Sequence, residues 1–121
     1  MLIYIKYGGV VRSCDLMKIE YGKLYKNSIK KLKKRYEEQK TLELLKNHIK
    51  QNINFNELKT NPISLIYEYE QLKHELSNYH SFNLCKSGGK IRLIFTVNES
   101  LNQVCLEYVS IDHYKDFKNK L

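Results

Sequence analysis

Lys90-Ile91-Arg92-Leu93-Ile94-Phe95-Thr96-Val97, then Asn98-Glu99-Ser100-Leu101-Asn102, then Gln103-Val104-Cys105-Leu106-Glu107-Tyr108-Val109-Ser110-Ile111 is the stretch that decides the fold. Two runs rich in β-branched and aromatic residues flank a polar, turn-forming link, the pattern of paired strands. In the first run Ile91, Leu93, Phe95 and Val97 alternate onto one face and leave Lys90 and Arg92 on the other. The second run is apolar on both faces, Val104, Leu106 and Tyr108 against Cys105, Val109 and Ile111, which predicts a central place in the sheet. Upstream, residues 82–86 read as a third strand of the same meander, and Ser87-Gly88-Gly89 as the turn that joins it on.

Outward from the meander, residues 23–39 read as a helix, with Tyr25, Ile29, Leu32 and Tyr36 as its apolar stripe. Its other face is basic without relief: Lys23, Lys26, Lys30, Lys31, Lys33, Lys34 and Arg35. Thr41 is placed to cap a second helix with Leu42, Leu45, Ile49 and Ile53 inside, so a Glu-Gln-Lys turn would make a helical hairpin. Pro62 blocks continuation of that helix, and residues 64–70 are ambiguous between extended chain and a short helix. Met17-Lys18-Ile19-Glu20-Tyr21 reads as a short strand. Residues 1–16 form an N-terminal extension in which 2–7 is a strand candidate and Gly8-Gly9 a turn; residues 17–121 form one domain. Residues 112–121 are a short basic tail with helical character. The fold class is α+β: a mostly antiparallel sheet of about four strands with the helical hairpin on one face.

Composition sets the class of partner. The chain has 121 residues, with 21 Lys plus Arg against 13 Asp plus Glu and a net charge of +8. Such a balance favours a polyanion or an acidic protein as partner. No run of about 18 apolar residues exists, so no transmembrane helix and no membrane role are expected. The first sixteen residues lack the continuous apolar core of a signal peptide. Cys14, Cys85 and Cys105 are odd in number and far apart, which fits a reducing cytosol rather than a disulfide framework. No metal-ligand spacing is present; His80, Cys85, Cys105 and His113 could be assembled into a site only by the fold, and ordinary buried cysteines are the better reading.

Three short motifs carry a resemblance. Glu70-Gln71-Leu72-Lys73-His74-Glu75-Leu76-Ser77-Asn78-Tyr79, then Lys90-Ile91-Arg92-Leu93-Ile94-Phe95, then Asp112-His113-Tyr114 occur in that order before, within and after the meander. Together they resemble the RelE/ParE superfamily of bacterial toxins, above all its YoeB-type endoribonuclease branch. The resemblance covers roughly residues 17–114 and is sharp from residue 70 onward. It implies a RelE-like fold and the toxin of a type II toxin–antitoxin pair, cutting mRNA on the ribosome without cofactor or divalent ion. It also implies a cognate antitoxin as partner. Carried over position by position, Glu70 matches the general base, Arg92 the arginine that meets the scissile phosphate, His113 the general acid and Tyr114 the aromatic beside it. Lys73, Lys86, Lys90 and Lys115 match or stand in for lysines that contact RNA. Gln71 replaces the usual proline, and residues 115–121 continue past the point where the YoeB-type branch ends. Two other functions remain open: a ParE-like gyrase-poisoning toxin, and a non-catalytic nucleic-acid-binding regulator working through the basic helix.

Overall fold

The computed structural model describes residues 2–4, 10–12, 16–85 and 89–121. In chain order the elements are β1 (Leu2–Tyr4), β2 (Val10–Arg12), β3 (Lys18–Tyr21), α1 (Tyr25–Ser28), α2 (Tyr36–Lys50), α3 (Phe55–Thr60), α4 (Pro62–Ile66), β4 (Glu70–Gln71), β5 (His80–Asn83), β6 (Arg92–Asn98), β7 (Gln103–Ser110) and α5 (Lys115–Lys118). The main sheet has five strands in the order β3-β7-β6-β5-β4; β3 runs parallel to β7 and every other pair is antiparallel. The sheet is therefore mixed, one strand larger than expected, because Glu70 and Gln71 add a two-residue edge beside Ser81 and His80. β1 and β2 pair antiparallel in a separate two-stranded sheet. Gly8 and Gly9 lie outside the described residues.

The meander is where the alternation placed it, with the upstream strand beginning at His80 rather than residue 82. Ile91, Leu93, Phe95, Val104, Leu106 and Val109 fill the larger core together with Leu42, Leu45 and Ile49 of α2. Tyr108 departs from the expected face. The register steps from Ile94↔Tyr108 to Phe95↔Leu106, so Glu107 is the extra residue of a bulge. The bulge resets the alternation and sends Tyr108 to the opposite side, where it packs with Leu72, Leu76, Ile94 and Phe117. Both faces of the sheet are thus covered: one by α2, the other by α5 and the segment around Leu76.

The helical region breaks earlier than the apolar stripe suggests. α1 is a single turn followed by a 3-10 turn at Ile29–Leu32, and α2 begins at Tyr36 and runs through the expected Glu-Gln-Lys turn. Like charges work against a continuous helix here. In a continuous helix Lys26, Lys30 and Lys34, and also Lys31 and Arg35, would stack like charges four residues apart. The Gln39 side chain then donates to the carbonyls of Leu32 and Lys33, satisfying acceptors that the broken helix leaves open. Glu37 and Glu38 occupy the first turn of α2 and His48 and Lys50 its last, matching the helix dipole. Pro62 starts a helix rather than ending one: it sits at the first turn of α4, and the Asn61 side chain caps it by accepting from the Ile63 amide at 2.9 Å.

Candidate active site on the polar face of the sheet

On the face turned away from α2, register aligns polar side chains across three strands. Asn83, Arg92 and Ser110 are direct neighbours on β5, β6 and β7. One pair further along lie Ser81, Ile94 and Tyr108, and Glu70 of β4 stands opposite Ser81. Ser81, Asn83 and Ser110 are fully buried. Alternation along β6 thus carries Arg92 to this face.

The Arg92 side chain is only 11% exposed. Its Nε and Nη1 are buried and have no hydrogen-bond partner among the described residues. The nearest carboxylate is that of Glu68, whose Oε2 lies 3.7 Å from Nη1. A buried guanidinium with unmet donors is costly, and an anion with acceptor oxygens relieves that cost.

Tyr114 ties the C-terminal segment to this face. Its hydroxyl donates to Glu70 Oε1 and lies 3.2 Å from Ser81 Oγ. Burial pushes the phenol pKa up, the Glu70 carboxylate adds to the rise, and the Arg92 charge opposes it, so Tyr114 remains a proton donor at neutral pH. Between Tyr114 and β4 opens a cleft of about 340 Å³. Glu70, Lys73, His74, Glu75 and Lys118 line it with Tyr114. Lys118 Nζ and Glu75 Oε1 form a 2.7 Å ion pair across it.

His113 follows differently. Its backbone φ is 52°, a conformation that histidine tolerates better than most residues. The His113 amide donates to the Lys90 carbonyl at 3.0 Å, which places the residue at the Arg92 end of β6. The imidazole is exposed, 6.1 Å from the Tyr114 ring centre to centre, and bonds to neither Glu70 nor Arg92. The fold therefore joins Glu70 to Tyr114 and sets Arg92 beside them, while His113 stands at the rim. Lys73 is in the cleft wall, Lys90 and Lys115 are exposed, and Lys86 lies outside the described residues.

The sequence motifs do not mark several residues found here: Glu68 faces Arg92, and His74, Glu75 and Lys118 line the cleft. Two of them, Glu68 and His74, carry a conformational signal: with the expected His113 they are three of the four described non-glycine residues with positive φ, at 51°, 58° and 52°. Such positions gather at functional sites, and no residue pattern announces them. The other histidines are structural. His80 stacks on Phe95 and bonds the Tyr69 hydroxyl, and His48 contacts Ser64 Oγ at 2.8 Å. Burial lowers the His80 pKa, with Lys59 adding to the shift. Among the described residues no three His, Cys, Asp or Glu side chains are grouped to hold a metal ion, and no helix is long and apolar enough to cross a membrane.

The basic stretch is also divided by the fold. Lys31 leaves the solvated set: its Nζ bonds Asp116 Oδ2 at 2.7 Å and the Tyr108 hydroxyl at 2.5 Å. Asp116 further accepts from the Ser110 hydroxyl, so the Lys31–Asp116 pair fastens α5 to β7. The remaining lysines of that stretch and Arg35 are exposed.

No family model and no curated protein matches the chain by sequence. Solved structures do match by shape. YafQ from E. coli strain BL21(DE3) superposes with a TM-score of 0.59 at 18% identity, covering 78% of this chain and 92% of its own. YafQ in the E. coli DinJ-YafQ toxin-antitoxin complex gives 0.56 at 20% identity, covering 78% and 91%. A YoeB/ParE toxin from Agrobacterium tumefaciens gives 0.54 at 14% identity, covering 78% and 98%. At these identities the likeness is one of fold, and the chain thus has the fold seen in YafQ and in the YoeB/ParE toxin.

Proposed function

We propose that the protein is the toxin of a toxin–antitoxin pair and a metal-independent endoribonuclease that cuts mRNA at the ribosome. The observation that carries this reading is the nearly buried Arg92 guanidinium, with Nε and Nη1 unpartnered, beside the Glu70–Tyr114 pair. A ribonuclease without metal needs three things: a base for the ribose 2′-hydroxyl, a cation for the developing phosphorane charge, and an acid for the leaving 5′-oxygen. In this reading Glu70 takes the 2′-hydroxyl proton and the 2′-oxygen attacks phosphorus. Arg92 meets the non-bridging oxygens. The exposed His113, as imidazolium, gives its proton to the 5′-oxygen as the P–O5′ bond breaks. The products are a 2′,3′-cyclic phosphate and a free 5′-hydroxyl. Tyr114 holds the Glu70 carboxylate by its hydrogen bond, and Lys73, Lys90, Lys115 and Lys86 contact the RNA backbone.

The partner is a cognate antitoxin with an acidic contact surface, complementary to the +8 charge of this chain. One of the structural neighbours is itself a toxin-antitoxin complex.

Mapping RNA ends after incubating the purified protein with programmed ribosomes tests the reading. Cut mRNA with 5′-hydroxyl and cyclic-phosphate ends is expected, and a His113→Ala sample should leave most message whole. Intact mRNA together with gyrase-dependent DNA breaks would replace it with the gyrase-poisoning alternative.

A further inference from the structure

Glu68 faces Arg92 from outside the proposed catalytic set. It lies between α4 and β4 with φ at 51°, a backbone conformation that glutamate rarely adopts. The buried Asn83 holds Glu68 and the residue before it by one bond each. The Tyr67 carbonyl accepts from the Asn83 amide at 2.7 Å, and Asn83 Nδ2 donates to Glu68 Oε1 at 3.3 Å. Asn83 is fully buried, and its Oδ1 also accepts from the Cys85 amide at 2.9 Å. The other carboxylate oxygen stands 3.7 Å from Arg92 Nη1. That is too far for a hydrogen bond, and since the Glu68 side chain is 55% exposed where Arg92 is 11%, water screens part of an attraction that still acts across this short gap.

We infer that Glu68 is a positioning residue: the resident counter-ion that orients the Arg92 guanidinium between turnovers and gives it up to the substrate phosphate. A guanidinium buried to this degree requires a nearby anion. A carboxylate in bidentate contact would fill the fork and compete strongly with substrate. One held back by Asn83 and a left-handed backbone offsets the charge while the donors stay unfilled. Phosphate then supplies the acceptors that Glu68 withholds. This rests on reading Arg92 as the phosphate-binding residue.

Glu68→Gln keeps the side-chain length and the acceptor for Asn83 but removes the charge. Inorganic phosphate is titrated into wild type, Glu68→Gln and Arg92→Lys, followed by the Arg92 Nε–Hε resonance and by backbone amides around β6. The expected result is phosphate binding about tenfold tighter in Glu68→Gln than in wild type, and a broken response in Arg92→Lys. In ribosome-dependent cleavage, Glu68→Gln should lower KM and kcat together, kcat by about tenfold, because the site binds more tightly but orients less well. A purely structural residue would leave KM and phosphate affinity where they were. Glu68→Ala, folded by circular dichroism, should move both quantities the same way. Phosphate affinity unchanged in both variants, or no phosphate binding by any form, overturns the inference. A wild type that binds phosphate through Arg92 and cuts no RNA instead overturns the nuclease reading, and the phosphate titration alone then decides the role of Glu68.

Discussion

Arg92 shows how much one residue's setting alters its chemistry. On an open strand its guanidinium would be a solvated surface charge; here it is 11% exposed with two unmet nitrogens. Replacing it by alanine is expected to lower single-turnover RNA cleavage by about 10²- to 10³-fold, measured with circular dichroism to confirm folding. Glu70→Gln and His113→Ala should each cost about 10²-fold or more in the same assay. Wild-type rates in all three variants would remove the catalytic assignment. Asp116 has a different role, with a pH signature. Burial pushes its pKa up, but hydrogen bonds from Lys31 and Ser110 and the Lys31 charge outweigh that and hold it below the ordinary 3.8. A carboxyl group whose folded pKa is depressed contributes stability above its unfolded pKa and loses it as pH falls through the folded value. Asp116→Asn should therefore melt below wild type at neutral pH, and the gap in Tm should narrow as pH drops below about 4. A gap that is constant with pH would mean that the carboxylate charge contributes nothing.

At the scale of elements, α5 is short but not a loose tail. Phe117 is buried at 1% exposure, edge-on to Tyr79 at 4.9 Å and beside Tyr108 at 5.3 Å. Its neighbour Tyr114 reaches Glu70, and Lys118 reaches Glu75. Four residues cannot hold a helix alone, so tertiary anchoring sustains it. Phe117→Ala should cost about 3–5 kcal/mol in denaturant unfolding, the usual range for a buried aromatic. It should also free Tyr114, so near-neutral cleavage should fall even where the variant stays folded. Loss of stability below about 1 kcal/mol would show that α5 only leans on the sheet. The bulge at Glu107 is the other decisive element. It places Tyr108 under α5 and presents its hydroxyl to Lys31.

For the whole molecule, charge governs the encounter with partners. If RNA is the partner proposed above, a net +8 on a small chain makes that binding steeply salt-dependent through counterion release. For single-stranded RNA the slope of log affinity against log salt is about −0.7 per phosphate contact. Neutralising Lys73, Lys90 and Lys115 together should flatten that slope by about 2 if each meets one phosphate. An unchanged slope in filter-binding titrations would place the RNA elsewhere, with the exposed lysines between residues 23 and 34 as the next set to neutralise. Glu70 stands exposed on the edge strand and lines the cleft beside Tyr114.

The meander, the orientation of Arg92 and the order of the Glu70, Arg92 and His113–Tyr114 motifs were legible in the residues themselves. Alternation along a strand is local geometry, and it survives wherever the strand is placed. The basic character of residues 23–35 was equally plain, though not that the stretch would hold a 3-10 turn and a break instead of one helix. Only the tertiary structure decided that Tyr108 turns to the far side, that Lys31 is pinned to Asp116 across 85 residues, and that Glu68 comes within 3.7 Å of Arg92. Those outcomes depend on a bulge in the register, on burial and on a left-handed backbone. Each arises from contacts between segments distant in sequence, which residue type and spacing alone do not encode.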